Sequence, residues 1–280
     1  MPAAAEVRLN PLLVADMFAP PNFWDGGGST LAILKSVVTP RSQWTWLPIP
    51  AFLVEHPTAG PILVDTAFDA SVATNPAESL GRASATMNKI RMRADQAVPA
   101  QLSARGIDPA SVELVVMTHL HNDHASGIRQ FPGAEFVVEQ REHEAASNGG
   151  FFQGYVSAHL DGASRWRKVD VASAPPADGF DHVLDVLGDG SIRLVFTPGH
   201  THGHCSVLLR TADGDVLLTG DAAYARKTIE ELLVPMYVIG DKADYLRSLG
   251  QIAGWVERHP RAPVICGHDP WNRADLERSY

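Results

Sequence analysis

Cysteine is nearly absent. The 280 residues contain two, Cys205 and Cys266, which argues against a disulfide framework and for a reducing compartment. Long apolar runs are also missing. No stretch reaches the roughly 18–20 residues that a membrane-crossing helix needs, so no membrane association is expected. The opening segment, MPAAAEVRLNPLL, lacks a basic region followed by an apolar one, so no secretory signal is expected and the cytoplasm is the expected location. Positive charge is in deficit: 23 Lys and Arg face 32 Asp and Glu, a net charge of −9. An acidic chain gains nothing from counterion release on a phosphate backbone, which disfavours a nucleic-acid partner. Neither a short-period repeat nor a low-complexity tract breaks the chain.

What remains is an ordinary globular balance, 45% hydrophobic and 20% charged, in a chain long enough for one large α/β domain or two smaller ones. Short runs rich in Val, Ile and Leu, bounded by Gly, Pro and Asp, predict strands at Pro48–Glu55, Pro61–Asp65, Val112–Thr118, Ile192–Thr197, Asp215–Thr219 and Pro263–Cys266. Helices are predicted between them. Ala97–Arg105 runs into Gly106, and Lys242–His259 carries Leu246, Leu249, Ile252, Ala253 and Val256 at helical spacing, with Asp241 or Asp244 as its cap and Pro260 as its stop. Strands alternating with helices indicate packed α/β layers. Two segments fit poorly and read as excursions over one face: residues 16–46, with Pro20-Pro21, three consecutive glycines and three tryptophans, and residues 70–96, rich in Ala, Ser and Met.

The chemistry concentrates in VMTHLHNDHASG, residues 116–127. It places His119, His121, Asp123 and His124 straight after a predicted strand. Neutral imidazoles and carboxylates are the usual nitrogen and oxygen ligands of zinc, and strand ends in α/β proteins are where sites assemble. His119 and His121, two apart on an extended backbone, point the same way, while Asp123 and His124 fall on the following turn. One segment can thus begin two metal sites. Three later segments repeat the pattern of strand, glycine turn and ligand-type residue: TPGHTHGH with His200, TGD with Asp221, and GHD with His268. A lone histidine after a strand is usually an ordinary polar residue, but four such segments in order favour metal. His204, in the same run as His200, reads as a hydrogen-bonding support rather than a ligand.

This ordered set, H-x-H-x-D-H followed by His, Asp and His over residues 119–268, resembles the metallo-β-lactamase superfamily. The resemblance implies an αββα sandwich, two mixed sheets flanked by helices, formed by a single hydrolase domain over residues 1–280 with 16–46 and 70–96 as loop or lid insertions. It also implies a dinuclear centre in which His119, His121 and His200 hold one ion, Asp123, His124 and His268 the other, and Asp221 bridges both. Zinc is the first expectation, although iron, cobalt or manganese suit the same ligands.

Within the superfamily, His121 stands where the di-iron flavoproteins carry Glu, and Asp221 where zinc β-lactamases carry Cys. Neither the helical thiol-ester-binding region of glyoxalase II nor the basic exosite of the tRNA-processing nucleases is expected here. Tyr224, three residues after Asp221, together with GPILVDTAFD (60–69), EQREHEAA (139–146) and the GHD near residue 268, resembles the N-acyl homoserine lactonases over most of residues 47–270. That likeness implies hydrolysis of the lactone ring by a hydroxide bridging two divalent ions, with Tyr224 donating to the carbonyl oxygen and Asp123 passing a proton to the leaving oxygen. Asn122 stands where some lactonases carry an apolar aromatic, which makes the pocket floor more polar. Met17, Phe18 and Trp24 are the candidate acyl contacts. The implied partner is a small lactone, and a homodimer stays open. The runner-up is another dinuclear hydrolase, acting on a different lactone, a thioester, an aryl ester or a phosphodiester. A non-enzymatic metal-binding protein comes third, because all seven ligand positions are filled.

Overall fold

A computed structural model of the chain describes residues 5–28, 31, 34–35 and 38–280. Its strands are β1 (Arg8–Ala19), β2 (Thr45–His56), β3 (Gly60–Val64), β4 (Lys89–Arg91), β5 (Leu114–Val116), β6 (Glu135–Glu139), β7 (Arg165–Val169), β8 (Val183–Asp185), β9 (Ile192–Phe196), β10 (Cys205–Thr211), β11 (Gly214–Gly220) and β12 (Val264–Cys266). The α-helices used below are α1 (Pro76–Met87), α2 (Val98–Ala104), α3 (Asn122–Ala125), α4 (Gln140–Asn148), α5 (Arg226–Glu231) and α6 (Lys242–Arg258).

Two mixed sheets form, in the orders β4-β1-β2-β3-β5-β6-β7 and β12-β11-β10-β9-β8. Alternation along the strands explains why they face each other. Ile62 and Val64 of β3 join Leu194 of β9 and Val207 and Leu209 of β10 in the core between the sheets. The intervening residues turn outward. Leu63 packs on a layer that includes Val98 and Leu102 of α2, and Val195, Leu208 and Leu217 pack on Tyr245, Leu249, Ile252 and Trp255 of α6. Sheets buried on both faces in this way give helix, sheet, sheet, helix.

Several boundaries differ from the sequence reading. The strand expected over Val112–Thr118 is confined to β5, because Thr118 leaves the ladder and its N–H donates to Asp65 Oδ1 at 2.8 Å. Helix α6 starts where expected, with Asp241 rather than Asp244 as the cap: its Oδ1 accepts the N–H groups of Ala243 and Asp244. Its buried stripe is Tyr245, Ser248, Leu249, Ile252 and Trp255, whereas Leu246 is exposed.

The two expected excursions are largely built into the fold. Residues 16–19 and 45–46 belong to β1 and β2 and pair in register, Asp16 with Pro48 and Phe18 with Trp46. Strand β1 was hidden by Pro11 and by its bulge near Leu13 and Ala15. Residues 29, 30, 32, 33, 36 and 37 lie outside the described ones. Segment 70–96 holds α1 and β4, and β4 extends the seven-stranded sheet along β1. Ion pairs and hydrogen bonds anchor it. Arg129 donates to Asp69 and to Glu78, and Ser79 bonds Ser126.

Candidate metal centre

The carboxyl ends of β5, β9, β11 and β12 meet at one edge of the sandwich. There the Cys205 N–H donates to Thr118 C=O and ties the two sheets together. The turns that follow these strands carry all seven candidate ligands into two groups. His119, His121, His200 and Asp221 offer ligand atoms within 4.8 Å of one another, and so do Asp123, His124 and His268. Asp221 stands between them. Its Oδ2 lies 3.2 Å from His200 Nε2 and 3.7 Å from His119 Nε2, and its Oδ1 lies 3.1 Å from His268 Nε2 and 3.4 Å from His124 Nε2.

The outer ring nitrogens are engaged. His124 Nδ1 donates to Asp65 Oδ2 at 2.8 Å, His268 Nδ1 donates to Pro48 C=O at 3.0 Å, and His119 Nδ1 bonds Thr118 Oγ1 at 3.1 Å. Thr118 Oγ1 in turn donates to Asp65 Oδ2. Protons held on the outer nitrogens leave the inner ones as bare lone pairs. The Nε2 atoms of His119, His124 and His268 and the Oδ1 of Asp221 are buried without a hydrogen-bond partner. Buried acceptors in that state cost free energy, and a cation is what this donor set fits.

The electrostatics separate the two groups: imidazole charge is disfavoured in the first, whereas nearby carboxylates favour it on His124 and His268, where a proton takes the place of a cation. Burial, then the charge of His124, pushes His119 well below the ordinary imidazole value, and burial with His200 does the same to His121. Burial opposes charge on His124 as well, but Asp221, Asp65 and Asp123 raise it well above the usual range. Burial would neutralise Asp221, yet His268, His124 and His200 hold it ionised. His204 lies behind the site. Burial and His200 push it down to about 3, and its Nε2 accepts the Asp221 N–H at 2.9 Å.

Tyr224 is buried beside this group. Its hydroxyl lies 3.3 Å from His200 Nδ1, and its ring stacks on Phe23 at 4.8 Å. Burial, then Asp221, raises the phenol well above its ordinary value, so it stays protonated. Asn122 opens α3, and its N–H donates to Gly154 C=O. The candidate acyl contacts separate. Met17 borders the cluster that holds Tyr224, Phe23 and Trp24. Trp24 is buried there against Phe23 and Trp271. Phe18, on the next position of β1, turns away and packs with Trp44 and Trp46.

Four supporting residues escaped the sequence reading. Asp65 had a visible signal, since it ends the run ILVD in the same strand-then-turn pattern as the ligands. Glu142 lay within the family-like run EQREHEAA without being singled out, and Tyr155 and Gly154 had no signal, because these roles depend on contacts between distant segments. Gly154 sits at φ +79°, and a Cβ there would lie 2.7 Å from the His121 ring.

The family model of the metallo-beta-lactamase superfamily matches residues 44–254. The chain belongs to the metallo-β-lactamase superfamily. Among curated relatives, it is 37% identical over 228 residues to the N-acyl homoserine lactonase AttM of Azorhizobium caulinodans, covering 80% of this chain and 82% of the relative. It is 36% identical to AttM of Agrobacterium fabrum, covering 83% and 86%. The lactonase AiiA of Bacillus thuringiensis subsp. kurstaki is 29% identical over 71% of this chain and 72% of its own. A solved N-acyl homoserine lactone hydrolase, with the product N-hexanoyl-L-homoserine at its catalytic metal centre, superposes with a TM-score of 0.75 at 23% identity, covering 97% of this chain and 96% of that one. The dizinc quorum-quenching lactonase AidC superposes with a TM-score of 0.66 at 14% identity, covering 96% and 89%. These likenesses establish the αββα fold of the superfamily for this chain.

Proposed function

We propose that the protein is an N-acyl homoserine lactonase that opens the lactone ring hydrolytically. The observation that carries this reading is the paired His and Asp groups with Asp221 between them and the Tyr224 hydroxyl beside His200. The AttM relatives, at 36–37% identity over 80% or more of the chain, support the substrate class. His119, His121 and His200 would hold one divalent ion, Asp123, His124 and His268 a second, and Asp221 would bridge them. Imidazole and carboxylate donors suit zinc first, with iron, cobalt or manganese as alternatives. A bound pair of such ions supplies hydroxide at neutral pH and positive charge for a developing oxyanion.

The protein's own residues do the rest. If His200 Nδ1–H donates to the Tyr224 oxygen, the phenol proton stays free for the carbonyl oxygen of the substrate. Asp123, with its side chain 13% exposed, would take the proton released as hydroxide adds to the carbonyl and pass it to the departing ring oxygen. Met17 and Trp24, beside Tyr224, are the acyl contacts we favour over Phe18, and Asn122 the polar part of the floor. We read residues 1–280 as one catalytic domain, since Leu9 and Tyr280 exchange backbone hydrogen bonds. We place it in the cytoplasm, as two unpaired buried cysteines suit a reducing setting.

The test is a panel of acyl homoserine lactones of increasing chain length, with γ-lactones lacking the amide and a thioester, assayed on metal-loaded protein. Acid release from the acyl homoserine lactones at kcat/KM well above the other classes is expected. Preference for the thioester, read by thiol release, would instead place the chain with other hydrolases of the superfamily.

A further inference from the structure

Glu142 on α4 is fully buried. Its Oε1 accepts the Leu120 N–H at 2.9 Å and the Tyr155 hydroxyl at 3.1 Å, and its Oε2 accepts the Gly203 N–H at 3.2 Å. Each partner sits beside a member of the three-imidazole group. Leu120 sits between His119 and His121. Gly203 closes the turn that holds His200, and a Cβ on it would overlap the Glu142 backbone nitrogen. Tyr155 follows Gly154, which leaves no room for a Cβ beside the His121 ring, and its own ring lies 5.1 Å from that imidazole. Among the described residues no Lys or Arg pairs with Glu142. A buried carboxylate without a cation is costly unless its oxygens are hydrogen-bonded. Here three donors from three separate segments meet that requirement. No contact places Glu142 on Asp123, His124 or His268.

We propose that Glu142 is a positioning residue that sets the spacing of the His119–His121 and His200 turns, and so selectively governs metal affinity at the three-imidazole group. The inference rests on reading the cluster as a two-ion centre. A carboxylate suits the task because both of its end atoms accept, whereas an amide would turn an NH2 donor toward one of the loop N–H groups and an apolar side chain would satisfy none. Partners behind metal ligands typically alter affinity by about 10- to 100-fold.

The experiment compares the metal-free full-length protein with E142Q and E142A. Each is titrated with Co2+ against a chromophoric chelator, with ion stoichiometry, the visible cobalt spectrum and the Tm of the metal-free form recorded. Wild type should take up two ions. E142Q should keep its metal-free Tm within a few degrees, bind one ion about 10-fold or more weakly with a changed cobalt spectrum, and retain the other ion. E142A should lose the weaker ion altogether; should it fail to fold, E142Q decides alone. Wild-type affinities and spectrum with only a lowered Tm would make Glu142 a purely structural residue and overturn the proposal, as would equal weakening of both ions. Absence of metal uptake by the wild type would instead sink the two-ion reading itself.

Discussion

The Tyr224 ring lies between Phe23, stacked at 4.8 Å, and the imidazoles of His200 and His268, each 5.5 Å away. Every heavy atom but its oxygen would survive in a Tyr224→Phe variant, so the packing should persist. The variant should keep its metal content and lose about 10- to 100-fold in kcat, less than the roughly 100- to 1000-fold of a lone oxyanion donor because bound ions would share the charge. Metal analysis beside initial rates checks this, and unchanged turnover would remove Tyr224 from the reaction. The ligand-type residues were legible individually, because His119, His121, Asp123 and His124 crowd into six positions and the other three each follow a strand and a glycine turn. Asp65 and Glu142 were not singled out. A carboxylate that supports a ligand from behind is defined by what lies across the fold, not by its neighbours in the chain.

At the scale of elements, the segment after β3 is held by charge. Arg129, just beyond the ligand-bearing α3, forms a two-pronged bond with Asp69 at 2.7 and 2.8 Å and reaches Glu78 at 3.1 Å. Although burial alone would raise it, the Arg129 hydrogen bond leads a set that holds the Asp69 carboxyl below its ordinary value. Asp69→Asn keeps the acceptor for the Ser71 N–H but removes the charge. It should destabilise the protein by about 1–2 kcal/mol near pH 7, discounted for the half-exposed guanidinium. Because the folded-state pKa is depressed, this contribution is present above the ordinary value of 3.8 and is lost as pH falls through the lower folded value. Urea titrations should therefore show a constant gap between wild type and variant from pH 5 to 8, closing below about pH 4; a gap that persists in acid would exclude the ion pair as its source. The same anchoring explains why residues 70–96 looked like a loop. Their composition has little β signal, Gly81 interrupts the helical pattern of α1 with φ +76°, and their order comes from partners about 50 positions away.

At the scale of the molecule, the unpartnered Nε2 atoms and the Asp221 oxygen lie where the two sheets meet. A cation bound there therefore stabilises the joint between the sheets as well as the site. Ligand excess of 100-fold over Kd adds about 2.7 kcal/mol to stability, so stripping the metal with a chelator should lower Tm by roughly 5–10 °C. Scanning calorimetry with and without chelator measures this, and an unchanged Tm would speak against a bound ion. By itself, the amino-acid sequence determined the α/β class, most site-bearing strands and the seven candidate ligand positions, because hydrophobic alternation, turn residues and ligand-type side chains are local properties of the chain. The tertiary structure alone decided that Asp221 presents one oxygen to each group, that Phe18 turns away from Tyr224, and that Glu142 joins two ligand turns. Those relations are distances between residues as many as 206 positions apart, as for Phe18 and Tyr224, and they exist only once the two sheets have packed.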